Sequence, residues 1–166
     1  MDAITNVPQP VNEPVHDYAP SSRERDALIA RLKQIAEEHV ELTMSIDGEH
    51  RMGAGEPIDL VQPHNHQAQL GTLRDATADD VRQAVTAAKA AAPAWQHMSF
   101  DDRAAIFLKA ADLLSGPWRT TLNAATMLGQ SKTCYQAEID TPCELADFWR
   151  FTFTTPASCS RSSRSA

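Results

Sequence analysis

The residues whose types and spacing bear on chemistry are His64-x-His66, Gly53-x-Gly55, three cysteines, and the acidic series Glu138, Asp140, Glu144 and Asp147. His64 and His66 supply two ligands of a metal site, but no third or fourth stands at recognisable spacing, so they read as solvated histidines in a turn. Cys134 lies near a helix start, where the dipole lowers a thiol pKa. No His or Asp partner is marked for it, and the reading is a buried or inert thiol. Cys143 follows a proline within a helical stripe and reads as core packing, while Cys159 falls in an atypical tail. Gly53-x-Gly55 has Ile58 where a dinucleotide fingerprint has its third glycine, and it precedes a strand rather than a helix, so it reads as a flexible turn. The four carboxylates read as a solvated acidic face, with one member pointing into a pocket as the alternative. Glu144 and Asp147 meet at i, i+3 and repel. Together these residues make no complete catalytic constellation, no cofactor site and no metal site.

The elements that must position them are mostly helical. Ser21 and Glu24 fit a capping box ahead of a helix over 23–39. Asp47-Gly48 between short alternating runs predicts a hairpin with a type I′ turn. "PIDLVQP" and "AQLGTLRDA" predict two strands joined by "PHNHQ". Thr77 and Asp80 cap a helix whose Val81, Ala84, Val85, Ala88 and Ala92 share a face, with Pro93 ending it. Ser99 and Asp102 open the next helix, whose stripe is Phe100, Ala104, Phe107, Ala110, Ala111 and Leu114. Gly116-Pro117 stops it as a left-handed cap followed by a residue lacking an N–H. "WRTTLNAATML" is a third helical stretch closed by Gly129. Ser131 or Thr133 caps a fourth through "YQAEIDTPCELADFWRF", which Pro142 is expected to kink.

Composition excludes several classes. A formal charge of -7 and sparse aromatics argue against a nucleic-acid surface. No apolar run approaches the roughly 20 residues needed to cross a bilayer. The first residues lack the basic and apolar regions of a signal peptide, and three cysteines without a secretion signal suit a reduced, cytoplasmic protein.

"DRAAIFLKAADLLSGPWR", followed by "TMLGQSKTCYQAEIDTPCELADFWRF", resembles the N-terminal part of the delta-1-pyrroline-5-carboxylate dehydrogenases, the glutamate-semialdehyde branch of the aldehyde dehydrogenase superfamily. The hairpin at "IDGEHRM", "VQPHNHQAQLGTLRDAT" and "VNEPVHDYAPSSRER" agree in order, and the last looks like the bacterial branch. The resemblance runs from Asn12 to Phe151. It implies an α/β parent, of which this chain is the N-terminal part: mostly helical, with a few antiparallel strands and without the Rossmann core. It also implies NAD-dependent oxidation of L-glutamate γ-semialdehyde to glutamate in proline degradation, through a thiolate nucleophile and a glutamate base. The small-molecule substrate, the NAD and any homo-oligomer belong to the full-length family enzyme. The family's nucleophile, base and cofactor strands lie beyond the matching region, so neither Cys134 nor Cys143 inherits the nucleophile's role. The helix resembling "QAEIDTPCELADFWRF" borders the family's substrate tunnel, and Glu144 matches an acidic position there, with Phe148 and Trp149 on the same helix. Thr141-Pro142 departs from the small residues expected at that place.

The organisation expected from this is an extended arm over 1–20, a truncated N-terminal portion of the aldehyde dehydrogenase domain over 21–153, and an aberrant Ser/Arg-rich tail over 154–166. One codon choice for Thr154 to Ser165 reads, in another frame, as Tyr-Ala-Arg-Gln-Leu-Leu-Glu-Lys-Gln-Pro-Lys, close to the apolar helix of the family. The tail is therefore expected to be out of frame, with a genuine Ser/Arg linker as the alternative. The truncated chain is expected to be inactive and to bind no NAD, with Phe107, Leu114, Phe148 and Trp149 forming an exposed apolar patch. The alternatives are a non-catalytic fragment that binds full-length subunits, a relic without function, or a small module binding metal through His64 and His66.

Overall fold

The structure, a computed structural model, describes residues 8–153. Residues 154–166, expected to be an out-of-frame tail, lie outside them. Helix α1 (Arg23–Glu37) starts one residue later than the expected box: Ser22, not Ser21, accepts the Arg25 N–H. Ser21 instead takes a left-handed conformation in the turn before it. The hairpin is as expected. Strands β2 (Met44–Ile46) and β3 (Glu49–Arg51) pair antiparallel, and Asp47 and Gly48 both carry positive φ, which a type I′ turn demands.

Strands β4 (Pro57–Gln62) and β5 (Asn65–Arg74) also pair antiparallel. A third strand, β1 (Val40–Leu42), was not foreseen, and it pairs with β5 in parallel rather than antiparallel. Gly71 permits it: a Cβ there would meet the Val40 carbonyl oxygen at 2.1 Å. The sheet order is β1-β5-β4.

Helix α2 (Ala78–His97) begins at the reciprocal Thr77–Asp80 capping box. Pro93 does not end it, and the helix runs one further turn. Pro93 and the turn before it face solvent, where water replaces the lost N–H bond that would make an interior proline costly in a buried helix. Its expected apolar face is largely uncovered, with Val81 54% and Val85 48% exposed. Helix α3 (Phe100–Ser115) opens at Ser99 and buries Ala104, Ala111 and Leu114, as its spacing predicts. Gly116 ends it at φ -102, so the stop is not left-handed. The left-handed cap belongs to Ser131, after α4 (Arg119–Gln130), with Gly129 inside the helix.

The core has two centres. Tyr18, Leu28 and Ala124 join the arm, α1 and α4. Ala111, Leu114 and Ala146 join α3 to the last helix, α6 (Glu144–Thr152). The expected patch is therefore mostly covered. Leu114 is buried, Phe107 packs on Trp95, Trp149 and Phe153, and of the four residues only Phe148 is chiefly exposed, at 61%. Among the described residues no helix is long and apolar enough to cross a membrane.

Candidate functional site: a pocket on a proline-widened helix

Pro142 shapes the site. In an α-helix a proline loses one hydrogen bond and its ring presses on the preceding turn. Here the chain answers with a π-helical turn, Ile139–Cys143, between α5 (Cys134–Glu138) and α6. The Glu144 N–H donates to the Ile139 carbonyl, five residues back. The expected kink is thus a widened turn. One inserted residue rotates the remainder of the helix by about 100°, so α5 and α6 turn their carboxylates to different surroundings. Thr133, not Ser131, caps α5, in a capping box with Gln136.

Glu138 corrects the expectation of a solvated acidic face. It is 0% exposed. Its carboxylate receives the Arg119 guanidinium, the His16 N–H at 2.8 Å, the Tyr18 hydroxyl at 2.7 Å and Asn123 Nδ2 at 2.7 Å. Burial acts to raise its pKa, but these donors outweigh burial and hold it well below the usual carboxylate range. Arg119 is the sole charge in α4, and a lone cation in an otherwise uncharged helix is the signal that could have marked it. It also donates to Glu13 Oε1 at 2.6 Å and to the Pro14 carbonyl at 2.6 Å. Glu13 in turn accepts from Arg150 at 2.7 Å.

Beside this network lies a cavity of about 670 Å³. Asn12, Glu13 and Val15 of the arm form one wall; Ile139, Cys143, Glu144, Asp147, Phe148 and Phe151 form the rest. Three carboxylates line it, and two are taken. Glu13 is held by its arginines, and Asp147 Oδ1 accepts the Glu13 N–H at 2.7 Å. The Glu144 carboxylate makes no hydrogen bond or ion pair among the described residues, and the residue is exposed. Glu144 and Asp147 share this wall as their spacing suggested. Trp149 faces α3 instead. A rim with one free carboxylate over apolar Val15, Ile139 and Phe148 suits a small molecule carrying a cationic group and a short hydrocarbon chain.

The other sequence candidates lie elsewhere. Cys143 is buried at the pocket floor, and burial and then the Glu138 charge push its thiol up to about 11. It is packing, as read, and a poor nucleophile at neutral pH while it stays buried. Cys134 is half-buried, and burial and Glu138 raise its pKa, opposite to the dipole expectation. His64 Nδ1 sits 2.7 Å from Ser131 Oγ, and His66 lies in β5. Among the described residues no three His, Cys, Asp or Glu side chains cluster as metal ligands. Gly53 and Gly55 are not a flexible turn but a close approach. A Cβ on Gly53 would meet the Arg74 carbonyl oxygen at 2.3 Å, and the Gly55 N–H donates to the Asp75 carbonyl.

The crystal structure of the delta-pyrroline-5-carboxylate dehydrogenase from Mycobacterium tuberculosis bound with NAD is similar to 96% of this chain, with a TM-score of 0.92 and 58% identity, over 30% of its own length. The delta-1-pyrroline-5-carboxylate dehydrogenase of Agaricus bisporus is 43% identical over 90% of this chain and 27% of its own. The mitochondrial delta-1-pyrroline-5-carboxylate dehydrogenase of Homo sapiens is 41% identical over 84% and 25%. The chain thus spans between a quarter and a third of the length of these relatives. The profile of the aldehyde dehydrogenase family matches residues 50–164, a span that takes in the second strand of the hairpin, the β4–β5 pair and the pocket helix, and on that match the chain belongs to the aldehyde dehydrogenase family.

Proposed function

We propose that this chain is the N-terminal portion of an enzyme that oxidises L-glutamate γ-semialdehyde to glutamate with NAD in proline degradation. What supports this reading is the similarity of 96% of the chain, at 58% identity, to the Mycobacterium tuberculosis dehydrogenase. In this reading Glu144 meets the amino-acid end of the substrate, away from the aldehyde. Its free carboxylate is matched in charge to an α-ammonium, and Val15 and Ile139 suit the methylene chain. Glu13 and Asp147 are unavailable for that task, since each is engaged within the protein.

The chain on its own is also proposed to bind no NAD. In the common dinucleotide site a glycine-rich turn opening onto a helix N-terminus holds the pyrophosphate. The one glycine pair near a strand is closed by the backbone of Arg74 and Asp75. No step of the oxidation is assigned to these residues, and the chain on its own is proposed to be inactive. It is also proposed to act in the cytoplasm, with other copies of the full-length subunit as its partners.

The test joins residues 1–153 of this chain to the remainder of the Mycobacterium tuberculosis dehydrogenase. The chimera is expected to form NADH from glutamate semialdehyde, and the isolated chain to form none. A folded chimera that oxidises other aldehydes but not this one would overturn the reading.

A further inference from the structure

Residues 8–19 contain no helix or strand, and of them only Tyr18 is buried among apolar side chains. The arm is therefore held to the helices chiefly by polar contacts. Those contacts gather in one place. Glu13 bridges Arg119 and Arg150, its N–H donates to Asp147, the Pro14 carbonyl accepts from Arg119, and the His16 N–H and Tyr18 hydroxyl reach Glu138. Every one of these partners lies on α4, α5 or α6, about a hundred residues or more along the chain. The same segment lines the pocket together with Glu144, and the Pro14 carbonyl covers Cys143 with Sγ 3.9 Å away.

We infer that Glu13 and Arg119 are positioning residues of the Glu144 pocket: they latch the arm across α4 and α6, and release of the latch opens the pocket wall and uncovers Cys143 while the helices stay folded. The latch is separable from the core because few apolar groups leave water when it closes, and segments of that kind open locally at less free energy than global unfolding requires. The inference concerns the pocket's shape and stands whatever molecule occupies it.

Cys143 is a built-in reporter. The full chain is treated with iodoacetamide, modification at Cys143 is followed by peptide mass spectrometry, and amide exchange in α3 serves as the measure of the core. Glu13→Ala is expected to speed Cys143 modification about tenfold and to leave α3 exchange unchanged. Tyr18→Phe, which keeps the ring among Leu28 and Ala124 but deletes one bond to Glu138, is expected to give a smaller acceleration in the same direction, about threefold. Unchanged modification in both variants, or acceleration that α3 exchange follows in proportion, would overturn the latch. Should Glu13→Ala fail to fold, Tyr18→Phe alone decides it by the same criteria.

Discussion

Arg51 meets Asp80 at 2.6 Å with a third of the arginine side chain in water, whereas Arg119 meets Glu138 with 6% and 0% of the two side chains exposed. Both pairs tie distant stretches of chain, but their surroundings differ. Asp80 has a local job first. It accepts the Thr77 N–H and hydroxyl, which with Arg51 hold its carboxyl far below its ordinary value, and Arg51 merely adds the β2–β3 hairpin to an existing helix cap. Glu138 has only the Cys143 thiol, at 3.8 Å, as a local partner. Its other donors come from α4 or from the arm. The lesson is that the first pair decorates a helix start, while the second is a joint on which three elements depend.

Breaking the joint should have the largest effect. Arg119→Met leaves a carboxylate buried without its cation, and a loss of about 3–5 kcal/mol is expected in chemical denaturation. Acid should act on the same joint. Glu138 and Glu13 are both partly desolvated, yet their donors lower their pKa values below the ordinary 4.5. The stability they contribute is complete above about pH 4.5 and is lost as pH falls through their folded values, toward about 2 for Glu138. Melts taken across that window should fall steeply for the natural chain and less for Glu138→Gln. At the other region, Thr77→Ala removes half a capping box, with about 1 kcal/mol expected. Arg51→Ala should be the mildest, at about 1 kcal/mol or less, because a third of the arginine side chain is in water and Asp80 keeps its Thr77 donors. An Arg51→Ala loss equal to that of Arg119→Met would erase the contrast.

The same contrast sets what could be read from the sequence. Thr77-x-x-Asp80, Ser99-x-x-Asp102 and Asp47-Gly48 are local signals whose chemistry is complete within four residues, and the structure uses each of them. The stripe of α3 was legible because its spacing alone fixes the face. Glu138 was not, since its partners are up to 122 residues away and its neighbours Asp140 and Glu144 are exposed. β1 escaped because three exposed residues carry no periodicity and its pairing depends on the space that Gly71 leaves. Pro93 reads as a stop and Pro142 as a kink. Solvent around the first lets its helix continue, and a widened turn takes up the second. The acidic series left a pocket open only as an alternative, and the resemblance singled out Glu144 within it. The pocket's second wall, contributed by the arm, left no local trace.

Glu144 is the pocket carboxylate that no described side chain engages, and the role proposed for it, to meet a substrate's cationic end, is the central claim. In the chimera of residues 1–153 with the remainder of the Mycobacterium tuberculosis enzyme, Glu144→Ala is measured with glutamate semialdehyde and with a simple aliphatic aldehyde of similar length. The expected result is a fall in kcat/KM worth about 1–3 kcal/mol for glutamate semialdehyde and a much smaller change for the aliphatic aldehyde, which has no ammonium to hold. Equal effects on both aldehydes, or no effect on either, would contradict that role for Glu144.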